Sequence, residues 1–247
     1  MNSETDSFFA IEHDVVMDII DSYGLNTACH FITQCSGRSG LGKKTSWSRN
    51  SVTKYAGISV RAAMKTEANL IKGGYLAKTK GGKHPRFSLT VSDEGNIAWL
   101  PHSFITGTSA GECPPIKLLR QTSSEDTLRL MLDIYWRQDI VNEGGFSFIY
   151  RAFDRSEKIA DSSAFSIYAF DETTRLISEQ EFIDPYEDAS AAYQTIVSTG
   201  LVYEVPYLFD SEEGLPLFPL IDPYTEEPLS DLETVAIESL SDQFAYN

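Results

Sequence analysis

The 247-residue chain is 42% hydrophobic with a formal net charge of -16, a composition normal for a globular protein with room for one large or two ordinary domains. No apolar run reaches the roughly 18 residues a bilayer span needs, and the acidic start MNSETDSFFAIEHD lacks the basic stretch of a secretory signal, so a cytoplasmic protein is expected. The overall charge argues against a nucleic-acid partner, and Cys29, Cys35 and Cys113 form neither a disulfide framework nor a metal set, so buried free thiols and no cofactor are expected.

The mean charge conceals two opposite surfaces. Residues 28–90 hold 12 basic side chains and a single acid, Glu67, whereas residues 91–247 hold 8 basic and 29 acidic ones. From residue 176 onward there are 16 acids and no Lys or Arg. A basic footprint is therefore local, and DNA contact is conceivable only through the first third of the chain.

In chain order, apolar residues at 11, 15, 16, 19 and 20 predict a helix over 11–22. The stretch LNTACHFITQC predicts a second. Residues 36–47 are rich in Gly and Ser with three basic side chains, and read as a surface loop. The loop lacks the GK[ST] ending of a phosphate-binding loop. Ser48 then suits an N-cap for a short helix that Gly57 ends, because glycine enters the left-handed region at little cost. Ser59 caps a longer helix, VRAAMKTEANLIK, which stops at Gly73-Gly74. The extended pieces YLAKTK and PRFSLTV follow, joined by Gly81-Gly82-Lys83-His84, a hairpin with a basic tip.

A short helix, a tight glycine turn, a capped helix and a basic hairpin make a DNA-reading unit: the first helix braces the second, which the major groove can accept. The segment SRNSVTKYAGISVRAAMKTEANLIKGGYLAKTKGGKHPRFSLT resembles the winged helix-turn-helix family of bacterial and phage transcription regulators and replication initiators. The resemblance rests on Ser48, Gly57-Ile58-Ser59, Leu70, Gly74-Tyr75-Leu76 and a wing over 75–90, and covers about 45 residues. It implies DNA binding. Glu67 departs from the family pattern, which has an apolar core residue there. Either the helix is rotated slightly, or Glu67 reaches the surface beside basic groups.

Beyond the wing, residues 96–122 read as a Pro-marked connector. Ser123 or Ser124 opens a helix with Leu128, Met131, Leu132, Tyr135 and Trp136 on one face. FSFIYRAF and FSIYAF are aromatic-rich strands or turns without the basic spacing of an RNA-binding sheet. Residues 187–203 predict a helix ending at Gly200, followed by two extended pieces. Ile196 and Gly200 correspond to Leu70 and Gly74 in the same helix, Gly, strand, loop, strand order. This is either a second, degenerate winged helix stripped of positive charge or a generic α+β tail. Residues 225–242 predict an acidic helix.

The expected fold is thus mainly α with small β-hairpins (α+β). The expected domains are 1–95 for DNA binding, 96–122 as connector, and 123–247 as an acidic domain for dimerisation or partner binding. With Ala63 and Leu70 facing the core, Arg61, Ala62, Lys65, Thr66 and Asn69 fall nearer the opposite face of the recognition helix over 60–72. Arg61 and Lys65 suit guanine or phosphate, Asn69 adenine or backbone, and Ala62 a thymine methyl. On the wing over 75–90, Lys78, Lys80, Lys83, His84 and Arg86 are phosphate candidates, with Arg49 and Lys54 beside the first helix. The four histidines form no metal or catalytic motif, and the scattered acids read as solvated surface, so no enzyme is expected. The leading function is sequence-specific double-stranded DNA binding by a transcription regulator acting as a homodimer. The alternatives are a plasmid or phage replication initiator and a protein-binding adaptor.

Overall fold

A computed structural model describes residues 8–38, 43–45, 47–79, 86–90, 95–107, 113–138, 151–152, 155–161, 166–170, 175–176, 187–200, 202, 207–209 and 216–219. The protein is mainly helical with small antiparallel sheets. It divides into two compact units, one of residues 1–147 with 191–201 and the other of residues 148–190 with 202–247.

The first unit opens with strand β1 (Phe8–Glu12), helix α1 (His13–Tyr23) and helix α2 (Leu25–Ser36). The helix predicted from residue 11 thus starts two residues later, because Ile11 sits in a strand whose partner is remote in sequence. That partner is β5 (Ile97–Pro101), antiparallel to β1 with Phe8 opposite Pro101 and Glu12 opposite Ile97. The α1 and α2 helices meet at Gly24, whose φ of 79° lies in the region that favours glycine. Buried on nearly every side, α2 packs against α1, β1 and the two helices that follow.

Strand β2 (Lys44–Thr45) falls inside the stretch predicted as loop. Next come α3 (Arg49–Ala56), α4 (Val60–Lys72), β3 (Leu76–Thr79) and β4 (Arg86–Leu89). The three strands form one antiparallel sheet in the order β2-β4-β3, with Lys44 opposite Ser88 and Thr79 opposite Arg86. Leu76, Phe87 and Leu89 turn inward from it and are buried. Such side chains supply most of the driving force for this unit, at roughly 1.5–3 kcal/mol each.

The expected connector is structured. It holds β5, a short helix α5 (Ser103–Thr106) and helix α6 (Pro115–Gln121). The Arg120 guanidinium of α6 donates to the Ala56 carbonyl at 2.6 Å, closing the end of α3. Helix α7 (Glu125–Trp136) is capped by the Ser124 hydroxyl, which accepts from the Thr127 amide at 3.2 Å. It packs on β5 and α1, and His13 reaches Asp133 across that contact at 2.8 Å. The chain therefore does not divide at residues 95 and 122: β5 completes β1, and α7 packs on β5 and α1. Leu128, Met131 and Leu132 are fully buried within their own unit, so this apolar stripe is not free to serve as a dimer face.

The second unit contains β6 (Arg151–Ala152), β7 (Arg155–Asp161), β8 (Ser166–Phe170), β9 (Arg175–Leu176), β10 (Tyr207–Phe209) and β11 (Pro216–Pro219). Its antiparallel pairs are β6 with β9, β7 with β8, and β10 with β11. Helix α8 (Glu187–Ser198), which from Ala191 on belongs to the first unit, is followed by Gly200 at φ 70°, as Gly74 at φ 79° follows α4. Ile196 is buried like Leu70. The expected helix over 225–242 lies outside the described residues.

Candidate nucleic-acid interface

Two side-chain caps and one glycine set the angle between α3 and α4. The Ser48 hydroxyl accepts from the Asn50 amide at 3.3 Å, and Ser59 accepts from Ala62 at 3.3 Å. Each satisfies a donor that has no partner within its own helix. Between the helices, Gly57 has φ 65°, and a Cβ there would meet the Lys117 side chain at 3.1 Å. Ile58, 1% exposed, anchors the turn in the core.

On α4 the buried positions are Ala63, Thr66, Glu67 and Leu70. The open positions are Val60, Arg61, Met64, Lys65, Ala68, Ile71 and Lys72, which follow helical spacing along one face. Among the described residues, no side chain pairs with Arg61, Lys65 or Lys72. Both Arg61 and Lys65 are therefore exposed as expected. Three other predicted contacts turn toward the body of the unit. Thr66 is 5% exposed, and its hydroxyl donates to the Ala63 carbonyl at 3.1 Å. Asn69 is half-buried and donates to the Thr27 hydroxyl at 3.4 Å, while Ala62 is half-buried. The correction follows from packing: with Ala63 and Leu70 inside, positions 66 and 67 fall between them on the same face whatever their polarity.

Glu67 resolves its own conflict with the family pattern in a way the sequence reading did not offer. It stays on the core face, 3% exposed, and basic groups come to it. Arg49 of α3 donates to it twice, at 2.6 and 2.9 Å, and Lys78 of β3 lies 3.4 Å away. Burial pushes the carboxyl up, but the Arg49 hydrogen bonds and the charges of Arg49 and Lys78 outweigh it and hold Glu67 below its ordinary range. Arg49 and Lys78 thus tie α3, α4 and the hairpin together, with the Lys78 side chain still 60% exposed.

Behind this seam, His30 of α2 is fully buried. Because Thr66 gives its proton to Ala63, His30 Nδ1–H donates to the Thr66 oxygen at 2.6 Å, and His30 Nε2 accepts from the Gln34 amide at 3.4 Å. Burial, the larger cause, and then Arg49 push its pKa down to about 4 against the pull of Glu67. The ring is neutral and serves as a fixed hydrogen-bond relay between α2 and α4.

Around the face, Lys54 is exposed and lies over the Tyr55 ring, 4.6 Å from its centroid, while Tyr55 stacks on Trp47 at 5.0 Å. Lys43 and Lys44 are exposed at the far strand of the sheet. Arg86 stands opposite Thr79 in the ladder. The remaining wing candidates, Lys80, Lys83 and His84, lie outside the described residues. The thiols of Cys29 and Cys35 are buried and pushed up to about 12 by that burial, which disfavours the thiolate at both. No cluster of metal-ligating side chains occurs among the described residues. Nor is any helix there long and apolar enough to cross a membrane.

Comparison with protein-family models, curated proteins and solved structures finds no match to this chain. The residues that sequence reasoning missed are Val60, Met64, Ala68, Ile71 and Lys72, all on the open face of α4. Ala63 and Leu70 are seven apart, and so are Met64 and Ile71; the second pair reads equally well as core until the partners of α4 are known.

Proposed function

We propose that this protein is a winged helix-turn-helix DNA-binding protein that reads double-stranded DNA with α4 and holds the backbone with the β3–β4 hairpin, acting as a transcription regulator. The observation that carries the reading is the fate of the one acid in residues 28–90. Glu67 is withdrawn from the surface and neutralised by Arg49 and Lys78, so the open face of α4 presents Arg61, Lys65 and Lys72 with no competing carboxylate of its own. Such a face attracts phosphates and repels basic surfaces.

Local geometry supports the same reading. A short capped helix, a left-handed glycine and a second capped helix present α4 outward, and the sheet order β2-β4-β3 sets a hairpin beside it. The acidic C-terminal region contributes no phosphate contacts on this account.

The test is recovery of duplexes bound by the full-length protein from a random-sequence library, with a salt titration of the recovered sites. Enrichment of a defined site, bound more weakly as salt rises, is expected. A library that stays random through repeated rounds would defeat the proposal.

A further inference from the structure

Among the described residues, the large apolar side chains that stand exposed are Phe8, Val60, Met64 and Ile71, and three of these four lie on α4. Val60 is 54% exposed, Met64 53% and Ile71 37%. At 100° per residue they fall in one narrow stripe, which Ala68, also exposed, borders. A helix with this much apolar surface in water is held open for a ligand, since scattered exposed apolar residues are ordinary but an aligned set is not.

The stripe has charged borders on both sides. Along one edge run Arg61, Lys65 and Lys72, and along the other lies the seam where Glu67 holds Arg49 and Lys78. The seam keeps a net positive charge, two cations to one acid, so an apolar protein partner would have to bring carboxylates on both flanks. The major groove offers the same pattern by its construction: phosphates line its two rims, and the only apolar groups on its floor are the C5-methyls of thymine. From Val60 to Ile71 the stripe runs about 16 Å along the helix axis, the rise of roughly five base pairs.

We infer that Val60, Met64 and Ile71 read thymine methyl groups, so that the preferred duplex is A·T-rich where α4 enters the major groove. The inference rests on the DNA-binding proposal and adds the chemical class of the site. Specificity then comes chiefly from apolar contact, while Arg61, Lys65 and Lys72 position the helix on the rims. Ala62, half-buried, is not the methyl-reading residue.

The experiment uses full-length protein and duplexes recovered from a random library, each resynthesised with deoxyuridine in place of every thymidine. Uracil pairs like thymine and lacks only the methyl. The thymine form should bind tighter by about fourfold per methyl contacted. In Met64→Gln, which keeps the length of an exposed side chain, that ratio should shrink while the salt dependence stays as in the wild type. If both forms bind with equal affinity, the thymine reading is overturned and the DNA-binding proposal stands. If the ratio persists unchanged in Met64→Gln and in Ile71→Gln, the discrimination belongs to the DNA and the inference is also overturned. A sedimentation mass that falls from dimer to monomer in Met64→Gln, with no discrimination between the two forms, would assign the stripe to a second copy of this chain. Should no duplex bind at all, the broader proposal fails and this one with it.

Discussion

Replacing Glu67 with glutamine should make the protein less stable and, in the same variant, raise its affinity for non-specific DNA. The glutamine keeps the volume, so no cavity opens. What is lost is the negative charge at a position 3% exposed that holds two Arg49 hydrogen bonds and the Lys78 ammonium. A hydrogen bond to a charged group is worth about 1.5–3 kcal/mol. Because the Arg49 side chain is 40% exposed, solvent screens its share, and a loss of about 1–2 kcal/mol is expected. For a chain of this size that is a fall in Tm of roughly 2–8 °C. Arg49 and Lys78 become available to phosphate at the same time, and each new phosphate contact steepens the slope of log K against log salt by about 0.9. Thermal unfolding and a salt titration on random-sequence duplex measure the two effects. The pH dependence follows the lowered carboxyl: the stabilisation by Glu67 is present above its ordinary value of 4.5 and is lost as pH falls through the lower folded value. An unchanged Tm, or a folded variant that binds random DNA more weakly at low salt, would refute the reasoning.

Other expectations follow from the same geometry. His30, neutral with its pKa pushed down to about 4, should cost stability as pH falls below the ordinary 6.5, because the unfolded chain takes up a proton the folded one refuses; urea midpoints between pH 7 and pH 5 should fall in the wild type and lose much of that slope in His30→Gln. Gly57→Ala forces a side chain into φ 65° against Lys117 and should cost about 1–2 kcal/mol in chemical denaturation; equal stability would mean that the turn relaxes. In the native protein Cys113, partly exposed, should react with a thiol reagent well before Cys29 and Cys35, with all three reacting after denaturation; fast modification of three thiols in the native state would contradict their burial.

Local chemistry made much of the basic segment legible. Ser48, Gly57, Ser59 and Gly74 act on backbone groups within a few residues, so the ends of α3 and α4 and the start of the hairpin follow from the chain itself. What depended on distant partners was not legible. The β1–β5 pairing joins residues 8–12 to residues 97–101, and neither stretch announces the other. Thr66 reads as outward-facing and Glu67 as either outward or on a rotated helix, yet both are buried, with His30 of α2 satisfying one and Arg49 with Lys78 the other. Met64 and Ile71 are apolar and share the spacing of Ala63 and Leu70, yet they stand on the open face. The basic face was foreseen as a charge pattern; which side chains of α4 compose it depended on the fold around the helix.

The most direct measurement of the central claim is the salt dependence of duplex binding by full-length wild type and by the Arg61→Ala, Lys65→Ala double variant. Both side chains are exposed and without partners among the described residues, so the variant should keep the wild-type Tm. If α4 lies in the major groove with these two cations on its rim, the wild type binds with a steep slope, and the variant binds more weakly with a slope reduced by about 2. A variant that binds with the affinity and slope of the wild type, or a wild type whose binding does not respond to salt, would contradict the assignment of α4 as the DNA-reading helix.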